Sequence, residues 1–357
     1  MELLKPYTKN ELDLKNHLVM APMTRSRAID SIPNDIMAEY YEQRSTAGLI
    51  VTEGTAPTPE ALGYPRIPGI FTKEQIEGWK KTTSAVHKNK AKIFLQLMHT
   101  GRIGHIDNLP TGVDLISPTD KQAAGQMFTD TQGLQEMSTP KAISEQDVKK
   151  VIADHVKASQ NAMEAGFDGV EIHGANGYLV EQFLNPNVNT RQDSYGGSIE
   201  KRSGFAVEMA TEISKAIGRE KVGIRFSPYN DFNDQPLYDQ EEVHKTYLHL
   251  AKELEKIGIA YIHIAQTPNS PQKTFEAIRE NFSGTIILCN GLTPESAEKQ
   301  ITEGFADLAA FGRSFLSNPD LPLRIEKGTD LNALNPQRLY TPDSKGYTDY
   351  PTLNKTI

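Results

Sequence analysis

Near-continuous runs of apolar, largely β-branched residues recur along the chain. LVMAPMT (Leu18–Thr24), LIVTEGT (Leu49–Thr55) and KIFLQLM (Lys92–Met98) come first, then GVEIHG (Gly169–Gly174), VGIRFSP (Val222–Pro228) and YIHIAQ (Tyr261–Gln266). TIILCNG (Thr285–Gly291) and LAAFGR (Leu308–Arg313) complete a set of eight. Runs of this length without polar alternation predict parallel strands covered on both faces. Between them the apolar spacing becomes helical. In DVKKVIADHVKASQNAMEAG, Val148, Val151, Ile152, Val156, Ala162 and Met163 share one face, and Gly166 is a stop. EEVHKTYLHLAKELEKIG has the same form, as does PESAEKQITEG, where Pro294 suits a helix start.

Eight strand–helix alternations predict an α/β fold, a (β/α)8 TIM barrel, rather than an open doubly wound sheet. The alternation is uneven in one place. His99 to Ile143 is rich in Gly, Pro, Thr and Asp and far exceeds what one loop needs, so it predicts a long excursion after strand three, of the kind that often forms a functional lid. The residues before Leu18 are expected to form a hairpin plugging the barrel bottom. Neither a linker nor a low-complexity tract interrupts the pattern, so one domain over residues 1–357 is expected.

Composition narrows the chemistry. Hydrophobic residues at 38% and charged residues at 24% suit a globular core. A net charge of -8 with no Lys/Arg cluster argues against a nucleic-acid partner. With Cys289 the sole cysteine, an intramolecular disulfide and cysteine-based zinc or iron–sulfur sites are excluded. No apolar run is long enough for a membrane span, and the first residues lack a signal-peptide core, so a cytoplasmic protein is expected.

Barrel chemistry gathers at the C-terminal strand ends. There the sequence offers Thr24, Glu53, Gln96, His173, Asn176, Arg225, His263 and Gln266, then the turns Asn290-Gly291 and Phe311-Gly312-Arg313. Barrels commonly hold phosphate in the loops after strands seven and eight, where glycines let N–H groups approach an anion and an Arg adds a cationic fork. The same turns also read as ordinary tight turns. Arg225 on a buried strand calls for a partner: either a salt bridge, with Glu171 as candidate, or an electron-rich group in the barrel mouth. Gln96 and Thr24 likewise read as satisfied core groups or as site residues. His173, Asn176 and Tyr178 taken singly read as a backbone-bonded His, a turn Asn and a packing Tyr. Taken together they supply two neutral donors for an oxygen that gains charge, and a phenol able to give a proton to carbon.

Several long motifs, in order over nearly the whole length, resemble the old yellow enzymes, the FMN-dependent NAD(P)H ene-reductases that include alkene and N-ethylmaleimide reductases. They are APMTR (Ala21–Arg25), LQLMHTGR (Leu95–Arg102), HGANGYLVEQFLNP (His173–Pro186), RQDSYGGSIEKR (Arg191–Arg202), FGRSFLSNPDL (Phe311–Leu321) and GYTDYP (Gly346–Pro351). The resemblance implies that Pro22, Met23 and Thr24 lie along the flavin, with the Thr24 hydroxyl on O4, and that Ala56 and Gln96 bond the pyrimidine edge. Arg225 would face N1 and O2, and Gly291, Gly312 and Arg313 would hold the phosphate. His173 and Asn176 would grip a carbonyl or nitro oxygen, Tyr178 would give the proton, and Tyr64 and Tyr340 would line the substrate side. The implied reaction is reduction of FMN by NADPH or NADH, then hydride transfer from N5 to an activated alkene.

Two positions depart from the pattern. Met98 stands where relatives often have Trp, which implies a roomier pocket and an altered substrate orientation, and the Asn-Gly turn at strand seven varies from relatives. HxxN and Thr24 fit the branch nearer the founding members, whereas another branch has Cys at position 24 and His at position 176. The expected partners are small electrophilic alkenes and NAD(P)H, with the chain a monomer or homodimer. A Schiff-base aldolase barrel would need a lysine at a strand end, and none of the eight runs ends in one. A metallohydrolase barrel would need clustered His ligands, and strand one offers none. A flavin-storage protein would have no use for the His–Asn–Tyr set.

Overall fold

The computed structural model describes residues 1–267 and 270–354; the last three residues of the domain expected over 1–357 lie outside the described residues. Eight parallel strands close into a barrel: β1 (Leu18–Met20), β2 (Leu49–Val51), β3 (Lys92–Leu97), β4 (Gly169–Gly174), β5 (Val222–Phe226), β6 (Tyr261–Ala265), β7 (Thr285–Cys289) and β8 (Leu308–Phe311). Neighbours pair in sequence order and β8 closes on β1. The (β/α)8 TIM barrel expected from the alternation is therefore the fold. Every strand starts where its apolar run starts, but most end early. β1 stops at Met20, so Ala21–Thr24 already belongs to the loop above it. Pro22 has no N–H for a ladder. The site motifs are thus carried just past the strands, at the barrel mouth.

Helices form where the sequence supplies a period and caps. Helix α3 (Glu145–Glu164) opens with a reciprocal capping box between Ser144 and Asp147 and buries Val148, Val151 and Ile152. Helix α6 (Gln240–Ile257) starts at the Asp239 cap and ends at Gly258, whose φ of 77° needs glycine. Helix α8 (Pro294–Thr302) has its Pro in the first turn, as expected.

The first residues form the expected hairpin, Tyr7–Lys9 against Leu12–Leu14. Leu12 and Leu14 are buried with Val19, Leu49, Phe94 and Tyr261 inside the barrel base, and the Tyr7 hydroxyl bonds Thr285 Oγ1 at 2.8 Å. The excursion after β3 contains two small sheets: Ile116–Ser117 beside Lys141–Ala142, and the hairpin Gln126–Thr129 with Gly133–Glu136. Its Ile103, Leu109, Leu115 and Met127 share one apolar cluster with Met98 and Tyr178, which lays it over the barrel mouth.

Buried arginines fasten the C-terminal segment across that mouth. Arg25 donates to the Gly346 carbonyl at 2.7 Å, and Arg27 donates to those of Arg338 and Lys345 at 2.9 and 3.1 Å. Arg44 lies 3.8 Å from the Tyr40 ring centroid, and Tyr40 stacks on Tyr347 at 4.0 Å. Arg66 reaches the Tyr340 carbonyl at 2.9 Å and so sets where that residue enters the rim.

Candidate active site

The register brings three polar positions side by side: His173 on β4 pairs with Arg225 on β5, and Arg225 with His263 on β6. Arg225 is buried, yet it makes no salt bridge with Glu171. Glu171 instead accepts from the His263 ring and from the Gln96 amide, each at 2.8 Å. Burial pushes the Glu171 carboxyl up, but His263 first, then Arg225 and Gln96, bring it below its ordinary value. The same pairing holds His263 above its ordinary value against burial. Of the two readings of Arg225, the ion pair with Glu171 is therefore not made. One guanidinium nitrogen approaches Cys289 Sγ at 3.7 Å, and the buried Nε has no partner among the described residues. An unpartnered buried donor is costly unless something else meets it.

A cavity of about 550 Å³ adjoins it, lined by Pro22, Met23, Arg225, Gly291, Gly312 and Arg313 among others. These six positions from four separate strand ends were each expected at the cofactor. The volume falls in the range of small-molecule and cofactor sites, about 300–1,000 Å³. At Gly291 the φ is 67°, and a Cβ would meet nothing within 4 Å, so the backbone there is open to a ligand. Arg313 is exposed and makes no ion pair among the described residues. The donor set therefore fits an anionic, flat cofactor such as FMN.

Three other expected cofactor residues are placed less directly. Thr24 is half-buried just past Met23. Gln96 is buried beneath the mouth with its amide N–H on Glu171. Ala56 already donates its N–H to Pro68 and accepts from Ile70, so only the second lone pair of its carbonyl is free for a cofactor.

Of the His173, Asn176 and Tyr178 set, His173 and Tyr178 are in contact, and Asn176 lies in the turn between them. The His173 and Tyr178 rings lie edge to face with centroids 4.8 Å apart. The Ala175 N–H donates to His173 Nδ1 at 3.3 Å, which assigns the proton to Nε2. Burial, with Arg225 and His263 nearby, drives the His173 pKa well below its ordinary value, so the ring stays neutral and donates through Nε2. Asn176 adopts a left-handed φ of 58°, and its side-chain amide makes no hydrogen bond among the described residues. The Tyr178 hydroxyl donates to Tyr64 at 3.0 Å, and burial raises both phenols above their ordinary values. Tyr340 stands 59% exposed at the rim, close enough to raise both further. Met98 is buried in the cluster that holds Tyr178, against Gly54, where a Cβ would overlap its thioether.

Sequence reading missed several residues here. Asn233 donates to the Asn176 carbonyl at 2.8 Å, and its nearness tempers the effect of burial on the Tyr64 and Tyr178 phenols. It sits in a β5–α6 loop with no regular period, so no pattern marked it. Glu181 lies one turn beyond Tyr178 on α4 (Leu179–Leu184), a signal visible only once that helix is known to be buried.

A closed parallel barrel that gathers a cationic cavity and a His–Asn–Tyr set at its strand ends is the architecture of a cofactor-binding barrel enzyme. Comparison with known proteins defines it further. The family model described as "NADH:flavin oxidoreductase / NADH oxidase family" matches residues 2–332. The chain is 41% identical over 363 residues to 12-oxophytodienoate reductase 1 of Oryza sativa subsp. japonica, covering 99% of this chain and 93% of that protein. It is 39% identical to 12-oxophytodienoate reductase 2 of Arabidopsis thaliana, covering 99% and 96%. The solved structure of morphinone reductase superposes with a TM-score of 0.94 at 37% identity, covering 99% of this chain and 96% of that one. A complex of morphinone reductase with tetrahydroNAD also superposes at 0.94. The chain belongs to this family, the old yellow enzymes, and is an FMN-dependent oxidoreductase of the ene-reductase kind.

Proposed function

We propose that the protein, as one FMN-binding domain over residues 1–357, uses NADPH or NADH to reduce the C=C bond of α,β-unsaturated carbonyl or nitro compounds. The observation that carries this reading is the neutral His173 donor beside the Tyr178 phenol, at the mouth next to the Arg225 cavity. When bound, FMN supplies the hydride. Pro22, Met23, Thr24, Ala56, Gln96 and Arg225 would hold the ring system, and Gly291, Gly312 and Arg313 the phosphate. The His173 Nε2–H and the free Asn176 amide bind the substrate oxygen and stabilise the charge that grows on it as its alkene is reduced. Tyr178 gives the proton to the α-carbon, and Tyr64, which accepts from it at 3.0 Å, keeps the phenol oriented. Tyr340 and Met98 bound the substrate side. Two groups of relatives are named for ketones, 12-oxophytodienoate and morphinone, which accords with a carbonyl-activated alkene. The physiological setting proposed is the cytoplasm; no helix of the described residues is long and apolar enough to cross a membrane.

The test is anaerobic. Holoenzyme is reduced with NADPH or NADH and mixed with an enone, an enal, a nitroalkene and a maleimide. Rapid flavin reoxidation with formation of the saturated product is expected. Flavin that stays reduced until air is admitted, with every alkene recovered unchanged, would refute the reading.

A further inference from the structure

The site residue Asn176 lies in a left-handed turn that leads directly into Tyr178. Asn176 has a φ of 58° and Gly177 of 80°, two successive left-handed residues. A non-glycine residue in that region persists only where the surroundings hold it. Both backbone N–H groups of this turn lead to one carboxylate. Gly177 N–H donates directly to Glu181 Oε2 at 2.5 Å. Asn176 N–H donates to Ser227 Oγ at 2.8 Å, and that hydroxyl donates on to Glu181 Oε1 at 2.9 Å. The Asn230 amide and the Tyr247 hydroxyl complete the set at 3.1 and 3.4 Å. We propose that Glu181 is a positioning residue for the reaction: its ionised carboxylate holds the Asn176–Gly177 turn against β5 and so aims the Asn176 amide and the Tyr178 phenol. The inference rests on the ene-reductase reading given above.

The chemistry of the partners requires a charge there. Four donors converge: the Gly177 N–H cannot become an acceptor, and the Asn230 amide is held as a donor because its Oδ1 accepts from the Phe232 N–H at 3.1 Å. An ionised carboxylate is acceptor-only and satisfies them all. A protonated one places an O–H among donors, and either Ser227 or Tyr247 must turn to accept it, which breaks the relay from Asn176. No cation pairs with Glu181 among the described residues. Arg202 of α5 (Ile199–Ile217) is bonded to Glu242 at 2.5 Å instead. The remaining titratable groups around it are Tyr229 and Asp231 of the β5–α6 loop, Tyr238, and Tyr247 of α6, which together with Glu181 line a cavity of about 470 Å³. Burial, only partly offset by the four donors, pushes the carboxyl up to about 7. The brace therefore releases as pH falls through neutrality, and the reaction with enones slows on that side.

Three measurements on the holoenzyme decide it, using Glu181→Gln and Glu181→Ala. Hydrogen exchange of the backbone from 174 to 180 needs no substrate. The second is the rate of reoxidation of reduced enzyme by 2-cyclohexenone, followed from pH 5.5 to 8.5. The third is flavin content. In Glu181→Ala, exchange of the turn should rise at least tenfold, and reoxidation should slow by roughly 10–100-fold, the scale of a displacement near 1 Å. Flavin content should stay at the wild-type value. Glu181→Gln, nearly isosteric, should slow reoxidation less and lose the step near pH 7 that the wild type shows. Unchanged exchange in both variants overturns the proposal whatever the enzyme reduces. So does faster exchange with wild-type rates and the same step near pH 7. If Glu181→Ala does not fold, exchange and the pH profile of Glu181→Gln decide alone. A wild type that reduces no alkene, with exchange responding as described, instead places the failure in the ene-reductase reading.

Discussion

Replacing Tyr178 by Phe deletes one oxygen from a buried ring and leaves its packing against His173 and Met98 in place. Among the described residues the hydroxyl makes one hydrogen bond, to Tyr64 at 3.0 Å. Losing a neutral hydrogen bond costs about 0.5–1.5 kcal/mol. As pure positioning, that could slow a step by about tenfold at most, since 1.4 kcal/mol corresponds to a factor of ten. A lost general acid costs roughly 10²–10⁴-fold. The two roles therefore predict rate effects that scarcely overlap. Burial raises the phenol further above its ordinary value, so its proton passes only to a strong base such as a carbanion next to a carbonyl. Stopped-flow traces of the two half-reactions separate the roles. In Tyr178→Phe, flavin reduction by NAD(P)H should stay within a few-fold of the wild type. Reoxidation by enones should slow by at least about 10². Nitroalkenes are the internal control, because the nitronate is stable and can leave unprotonated, so their reaction should survive. A variant that reduces enones at a wild-type rate, or slows only flavin reduction, would show that another group or water supplies the proton.

Arg313→Ala removes an exposed cation that makes no ion pair among the described residues, at the edge of the cavity; FMN retention measured by dialysis or titration should weaken by about 1.5–3 kcal/mol, the loss of a charge-assisted contact. Met98→Trp inserts a larger ring against Gly54 and beside Tyr178, so a stability cost of about 1–3 kcal/mol and a changed product enantiomer ratio for at least one enone are expected; identical ratios over a broad panel would remove Met98 from the substrate wall. Stability should also depend on Glu181. Its folded pKa, about 7, lies above the ordinary 4.5, so the folded state favours the protonated form, and this contribution is lost as pH rises from 4.5 through 7. Glu181→Gln does not titrate, so its stability relative to the wild type should climb between pH 5 and 8 by on the order of 3 kcal/mol; denaturation of holoenzyme in excess FMN at each pH gives the difference, and a flat one would show that Glu181 is already ionised well below neutrality.

The apolar runs revealed the barrel because each strand is buried on both faces, and a strand so placed tolerates little polar residue. Their first residues were legible for the same reason. Their ends were less so: Ala21–Thr24 runs on past β1 with only Pro22 to hint at the break, and Thr52–Thr55 keeps β-branched residues past β2, with Glu53 and Gly54 as the only signs of an end. The His173–Tyr178 set was legible because it is local in sequence. The cavity residues, by contrast, come from separate strand ends, and long-range closure of the barrel is what assembles them. Arg225 shows the limit of pair reasoning: Glu171 was a sensible partner by charge, yet His263 and Gln96 occupy it. Glu181 and Asn233 escaped notice because both act through hydrogen bonds to the backbone of the Asn176–Gly177 turn, which leave no periodic trace.

A flavin in the cavity between Arg225 and Arg313 is what the proposed reaction requires, and the visible absorption spectrum of the purified protein tests this most directly. Protein expressed and purified without added cofactor should be yellow, with a flavin spectrum, and heating or acid should release a flavin that chromatographs as FMN in a ratio near one per chain. A colourless protein that also fails to take up added FMN, while remaining folded by circular dichroism, would contradict it.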